Sequence, residues 1–337
     1  MRNGQRWALE PGARRPGVKL TVGIAQARPA VLDLERAVDK ACFWIGEAAK
    51  RGVRLLAFPE AWIPCYPLWC DGGTFARWGN GAAKSLHVRL LENSLVVPSE
   101  HTVRLCDAAR QGRVAVIIGA NERERHGGSM YNSLVFIDEA GRVVATRRKL
   151  VPTHGERLVW SPGDAAHLDA FRMAGARVGG LICWEHWMPL VRHVLHAGGE
   201  EVHVAAWPHG QEHHQLASRH YAFEGRCFVL AAAMVLSRSD LPSDLELAGD
   251  LAEAPQDLLP GGSAIIGPDG RYVVEPVLGR EELLVAEIDL RRTREEKLTL
   301  DVAGHYARPE LFDLRVRRDR PAQLRDDAGP LASKDIG

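Results

Sequence analysis

The 337-residue chain lacks most features that would place it in a membrane, on nucleic acid or in an oxidising compartment. No apolar run approaches the roughly 18–20 residues needed to cross a bilayer. Its 43 basic and 43 acidic residues cancel, so no charge excess draws it to nucleic acid or an anionic membrane surface. The same balance leaves self-association unopposed. Residues 1–17 are basic and rich in Gly and Pro but have no apolar stretch, which predicts a flexible leader rather than a secretory signal. The six cysteines form no CxxC pair and no metal-finger spacing. Free thiols in a reducing cytosol are the expectation. There is no repeat of fixed period and no HExxH zinc motif.

What is present is an alternation of short apolar runs with amphipathic stretches. Residues 18–26 (VKLTVGIAQ) read as a strand. Leu34, Val38, Ala41, Ile45 and Ala48 then recur at helical spacing, and Gly52 stands where a C-terminal cap belongs. Further strands are predicted at 53–58, 114–120, 132–138, 143–148, 178–183, 202–207, 228–234, 262–268 and 283–290. Glu139-Ala140-Gly141-Arg142 supplies a hairpin turn. Helices are expected at 104–110, from Cys183 through His196, and at 213–224. Strands alternating with helices, plus hairpins, predict an α/β sandwich of mixed sheets with helices on the outer faces. Residues 237–260 read as a long surface loop. The charged stretch 308–337 reads as a C-terminal arm, leaving 18–307 as one domain.

Three segments carry chemistry. Glu60 follows Phe58-Pro59 at a strand end, where a carboxylate is placed to act as a general base, although most such glutamates are solvated or capping. Lys149 ends the strand Arg147-Arg148-Lys149, with Glu156 seven residues on. A basic strand edge is the plain reading; a lysine buried among carboxylates would instead stabilise developing negative charge. Cys183 closes the apolar run Gly179-Gly180-Leu181-Ile182, and a helix is expected to begin there. A helix N-terminus favours a thiolate, and the free N–H of Trp184 could donate to a forming anion. The alternative is an inert core cysteine.

Taken in order, Glu60, Lys149 and Cys183 are far more specific than each alone, and here the chain resembles the nitrilase superfamily of carbon–nitrogen hydrolases. The resemblance extends to Tyr131-Asn132-Ser133, to 217–222, to Gly262-Ser263 and to 304–310. Cys183-Trp184-Glu185-His186 is similar to the nitrilase branch, whereas amidases and carbamoylases commonly carry a Tyr-Asp or Ser-Asp type of sequence there. The resemblance implies an α-β-β-α sandwich and a covalent mechanism in which Glu60 takes the Cys183 proton and the thiolate attacks a nitrile. It also implies that Lys149 and the Trp184 amide stabilise charged intermediates, that Glu156 holds Lys149 or substrate, and that no metal or organic cofactor is needed. An amidase, a carbamoylase, a cyanide-degrading or nitrile-hydrating enzyme, and a non-catalytic scaffold are the competing readings. Homodimers that assemble into larger or spiral oligomers are implied as well.

Around this core, Trp62 and Tyr66, in the loop after Glu60, are candidate substrate-pocket residues, as are Trp207, Pro208 and His209. Related enzymes usually have Gly where this chain has Cys65, which puts the loop conformation in question. His209, His213 and His214 with Glu212 invite a metal reading but read better as a polar helix start. His186 is expected to pack or hydrogen-bond, and Glu185 to serve the start of its helix.

Overall fold

The computed structural model describes residues 19–320. The expected leader, 1–17, and the end of the expected arm, 321–337, lie outside the described residues.

Strand β1 (Lys19–Gln26) leads into α1 (Leu34–Lys50) and β2 (Leu55–Ala57). Helix α1 starts where the Asp33 side chain accepts from the Arg36 N–H, and its buried stripe is Ala37, Val38, Ala41, Ile45 and Ala48. Then come α2 (Gly81–Glu92), α3 (Glu100–Gly112), β3 (Ala115–Arg123), β4 (Met130–Ile137) and β5 (Val143–Arg148). The second half comprises β6 (Phe171–Met173), β7 (Ala176–Ile182), α4 (Pro189–Ala197), β8 (Val202–Ala206), α5 (Glu212–Gly225), β9 (Phe228–Ala232) and β10 (Val235–Ser237). It closes with β11 (Asp257–Ile266), β12 (Tyr272–Leu278), β13 (Glu282–Asp289) and α6 (Arg291–Glu296).

The strands form two mixed sheets. One has the order β13-β1-β2-β3-β4-β5; the other runs β10-β11-β9-β8-β7-β6, with β12 paired to β11. The centre of each is parallel, β1-β2-β3 and β7-β8-β9, and the flanks are antiparallel. Side-chain alternation explains the layering. In β3, Ala115 and Ile117 join the inter-sheet core, while Val116 and Ile118 join the cluster under α1, α2 and α3. On the second sheet, Leu195 of α4 and Tyr221 of α5 pack against its strands. The result is the expected α-β-β-α sandwich.

Several elements differ from expectation. The stretch after Cys183 is not one helix: a 3₁₀ turn (Cys183–Trp187) is followed by α4, which has Pro at its first position. Pro189 lacks an N–H and cannot continue a preceding helix, but it suits a helix start. Helix α2 and strands β6, β10 and β12 were not legible. Residues 237–260 are not purely surface, because Leu245, Leu247 and Leu259 are buried. Among the described residues no helix is long and apolar enough to cross a membrane.

Candidate active site

The C-terminal ends of β2, β5 and β7 converge at one place. Beyond β2, the Glu60 N–H donates to the Trp207 carbonyl beyond β8, 3.3 Å away, which ties the two sheets together. β3 passes close beneath this turn. A Cβ on Gly119 would lie 2.0 Å from the Pro59 carbonyl oxygen, so only glycine fits there.

Glu60 is fully buried. Its Oε1 accepts from Lys149 Nζ at 3.0 Å and from Asn132 Nδ2 at 2.7 Å, whereas Oε2 has no partner among the described residues. Lys149 also donates to Glu156 Oε2 at 2.6 Å. Glu156 sits on a 3₁₀ turn (His154–Leu158); its Oε2 accepts from the Thr153 N–H and its Oε1 from the Tyr66 hydroxyl at 3.0 Å. Carboxylate oxygens of Glu60 and Glu156 and the Cys183 sulfur lie within 4.8 Å of one another. The sequence candidates Glu60, Lys149, Glu156 and Cys183 are therefore brought together.

Charge balance sets the protonation. One lysine faces two carboxylates in a site without water screening, leaving one negative charge in excess. Burial pushes Glu60 up to about 7; Lys149 opposes the rise and Glu156 adds to it. Burial works against the Lys149 ammonium, but Glu60, Cys183 and Glu156 hold its pKa above the ordinary value, so it stays cationic. Burial and the charge on Glu60 push the Cys183 thiol well up, against Lys149 and the hydrogen bond from the Trp184 N–H. Cys183 is thus held as the thiol. This corrects the sequence expectation of a thiolate favoured by a helix N-terminus: a five-residue 3₁₀ turn offers little dipole, and burial together with the charge on Glu60 outweighs it. A carboxylate oxygen of Glu60 lies within 4.8 Å of the sulfur.

Cys183 has φ +51, in the left-handed region, a conformation that costs a non-glycine residue on the order of 1 kcal/mol or more. Glu185, placed two residues further along, secures the turn. Its Oε2 accepts from the Ile182 N–H at 2.8 Å, while Oε1 accepts from Arg147 Nη2 at 2.6 Å and the Leu150 N–H at 2.8 Å. It therefore fixes both the strand end carrying Lys149 and the turn carrying Cys183. The sequence expectation of a role at a helix start understates this; only the fold brings Arg147 and Glu185 together.

A cavity of about 240 Å³ opens over Cys183 and Glu156. Tyr66, Trp184, Pro208 and His209 line it, as do His154 and His214, which sequence reasoning did not single out for this site. Leu258 and Leu259, from the stretch expected to be surface loop, complete one wall. Trp62 and Trp207 do not line it. Trp62 is buried against Phe58 and donates to the Ala27 carbonyl at 2.9 Å; Trp207 stacks on His186 and donates to Ser218 Oγ at 3.0 Å. Both rings are core, because each indole N–H finds its partner inside the fold. Cys65 adopts φ +147, the backbone a glycine favours, and Asn121 Nδ2 holds its carbonyl at 2.9 Å. All six cysteines are free.

Glu60, Glu156 and Cys183 could in principle offer three donor atoms to a metal ion. The Lys149 ammonium already bonds both carboxylates, so the cation of this cluster is the lysine. Burial lowers the pKa of His209 and, with the neighbouring histidines, brings His214 down to about 4, so both face the cavity neutral.

The geometry agrees with comparisons to known proteins. Residues 21–297 match the family model for carbon–nitrogen hydrolases. An aliphatic nitrilase of Rhodococcus rhodochrous is 40% identical over 322 residues, covering 90% of this chain and 82% of that protein. An arylacetonitrilase of Aspergillus oryzae is 36% identical, covering 92% of this chain and 95% of that protein. Among solved structures, Nit3 of Saccharomyces cerevisiae superposes with a TM-score of 0.67 at 17% identity, over 86% of this chain and 96% of that one. The chain belongs to the carbon–nitrogen hydrolase family.

Proposed function

We propose that the protein hydrolyses an organic nitrile to the carboxylic acid and ammonia through a covalent adduct on Cys183. The observation that carries this reading is the buried Glu60, which has a carboxylate oxygen within 4.8 Å of the Cys183 sulfur and whose Oε2 has no hydrogen-bond partner among the described residues. Glu60 takes the Cys183 proton as sulfur bonds to the nitrile carbon and passes that proton to the nitrogen, giving a thioimidate and a free carboxylate. A water molecule, deprotonated by Glu60, adds to that carbon, and ammonia leaves to give a thioester. A second water cleaves the thioester, releasing the acid and restoring the thiol. Across the cycle one nitrile and two waters become one acid and one ammonia. Lys149 and the Trp184 N–H offset negative charge in each addition step, and Glu156, steadied by Tyr66, holds Lys149 in place. The cavity, smaller than the roughly 300–1,000 Å³ of typical drug-sized pockets, favours a small substrate. Pro208 and His209 serve as its substrate-contacting wall.

The relatives named as nitrilases, together with Cys183-Trp184-Glu185-His186, favour a nitrile over an amide. Supplying the purified protein with matched nitriles and amides, aliphatic and arylaliphatic, and measuring ammonia, acid and amide tests this. Acid from nitriles supports the reading; acid from amides alone would replace it with an amidase.

The same reading assigns 18–307 to the hydrolase domain and 308–337 to an arm. In support, 308–320 contains no helix or strand, and Arg318 and Arg320 reach back to the Leu168 and Thr146 carbonyls. Exposed Trp187, Leu190, Leu216 and Phe223 around α4 and α5 are consistent with a homo-oligomer, and six free thiols with a cytoplasmic location.

A further inference from the structure

Behind Cys183, on the side away from the cavity, lies a buried polar circuit that the reaction scheme does not use. The Cys183 carbonyl accepts from His186 Nδ1 at 2.7 Å, and His186 Nε2 faces His203 Nε2 at 3.0 Å. His203 Nδ1 meets Glu200 Oε2 at 2.9 Å; Glu200 Oε1 takes the Tyr221 hydroxyl and His196 Nδ1. His196 Nε2 continues to Glu224, Glu224 pairs with Arg192, and Arg192 Nη1 returns to the His186 carbonyl at 3.0 Å. His186, His203 and Glu200 are each 2% exposed or less, so no bulk water substitutes for a missing partner.

The ends of this chain dictate its chemistry. A carbonyl oxygen only accepts, so His186 must carry its proton on Nδ1 to bond Cys183. Its Nε2 is then free to accept from His203. The Glu200 carboxylate also only accepts, so His203 must present a proton there as well. Three bonds across two imidazoles need three protons, one more than two neutral rings carry. Burial lowers both rings, and Glu200 offsets only part of the fall at His203. The circuit ends on a carbonyl rather than on a reacting atom, so it orients and does not conduct protons to substrate.

We infer that His186, fixed by His203 and Glu200, is a positioning residue that clamps the Cys183 carbonyl. The clamp holds the left-handed turn, and with it the aim of the sulfur and of the Trp184 N–H. This rests on Cys183 being the nucleophile. The alternative is a circuit that merely stabilises the core.

Two isosteric substitutions separate them. An Asn amide nitrogen falls near the position of His Nδ1, and a Gln amide nitrogen near that of Nε2. Ammonia release from butyronitrile and phenylacetonitrile would be measured for His186→Asn, His186→Gln and Cys183→Ala, each checked for folding by thermal unfolding. His186→Asn is expected to keep kcat within about threefold, while His186→Gln, which leaves the carbonyl unpaired, loses about tenfold or more, with KM little changed. Glu200→Gln, two links away, is expected to lower kcat severalfold, and Cys183 alkylation by iodoacetamide should slow in parallel with kcat. Equal kcat in folded Asn and Gln variants would overturn the inference. So would a Glu200→Gln protein with wild-type kcat and alkylation rate, a readout that stands even if His186→Gln fails to fold. Turnover by Cys183→Ala would instead remove the reading on which the inference depends.

Discussion

Two buried glutamates close to Cys183 are built in opposite ways. Glu185 accepts three hydrogen bonds, from Arg147, Leu150 and Ile182, using both oxygens. Glu60 concentrates its donors, Lys149 and Asn132, on one oxygen and leaves the other without a partner among the described residues. Both are held by a basic residue of the same strand end, Arg147 for Glu185 and Lys149 for Glu60. The saturated carboxylate is built as a fastener, and the half-satisfied one is the proposed base. An unpaired buried oxygen is costly to stability, and a fold retains it where chemistry uses it.

Breaking each glutamate should therefore have opposite signatures. Glu60→Gln is expected to lower turnover by about 10³-fold or more while the thermal midpoint stays level or rises, because a desolvated charge is removed. Wild-type-like turnover in that variant would take the base role from Glu60. Glu185→Ala leaves the Arg147 guanidinium buried and unpaired, which should cost about 3–5 kcal/mol in denaturant unfolding. A loss below about 1 kcal/mol would mean that Glu185 does not fasten the turn.

The pH response sharpens the same contrast. Glu60 must be ionised to accept the thiol proton, so kcat/KM should climb as pH rises through about 7. Stability moves the other way. Folded Glu60 keeps its proton up to about 7, whereas the unfolded chain releases it near 4.5. Its stabilising contribution is complete below 4.5 and is lost as pH rises to about 7. Glu60→Gln should flatten that part of the stability curve, measured by unfolding at a series of pH values; an unchanged slope would assign the titration elsewhere.

The smallest expected effect lies at Cys65, whose φ of +147 suits glycine. Cys65→Gly should be at least as stable as Cys65→Ala, reversing the usual ranking by about 1 kcal/mol. Greater stability of the alanine variant would show that the loop relaxes there.

The sequence made the framework legible wherever the signal was local. Periodicity placed α1 at its observed start, Leu34, and β5 at its observed limits, and the motif order brought Glu60, Lys149 and Cys183 to one site. What it hid depends on contacts distant in sequence. Helix α2 has a narrow buried stripe of Ala83, Leu86 and Leu90 after a Gly-rich stretch, and β12 is a half-exposed edge strand. Trp62 and Trp207, aromatic and adjacent to site segments, read as pocket walls, yet each buries its indole N–H against a partner in the core. The circuit behind Cys183 left one trace, a histidine inside the apolar strand Val202–Ala206, whose meaning appears only once His186 and Glu200 surround it.

The central claim is that Cys183 alone forms the covalent bond to substrate, and ammonia release from nitriles by purified Cys183→Ala tests it most directly. A folded variant with no measurable release is predicted. Release at the wild-type rate from that folded protein would contradict the account.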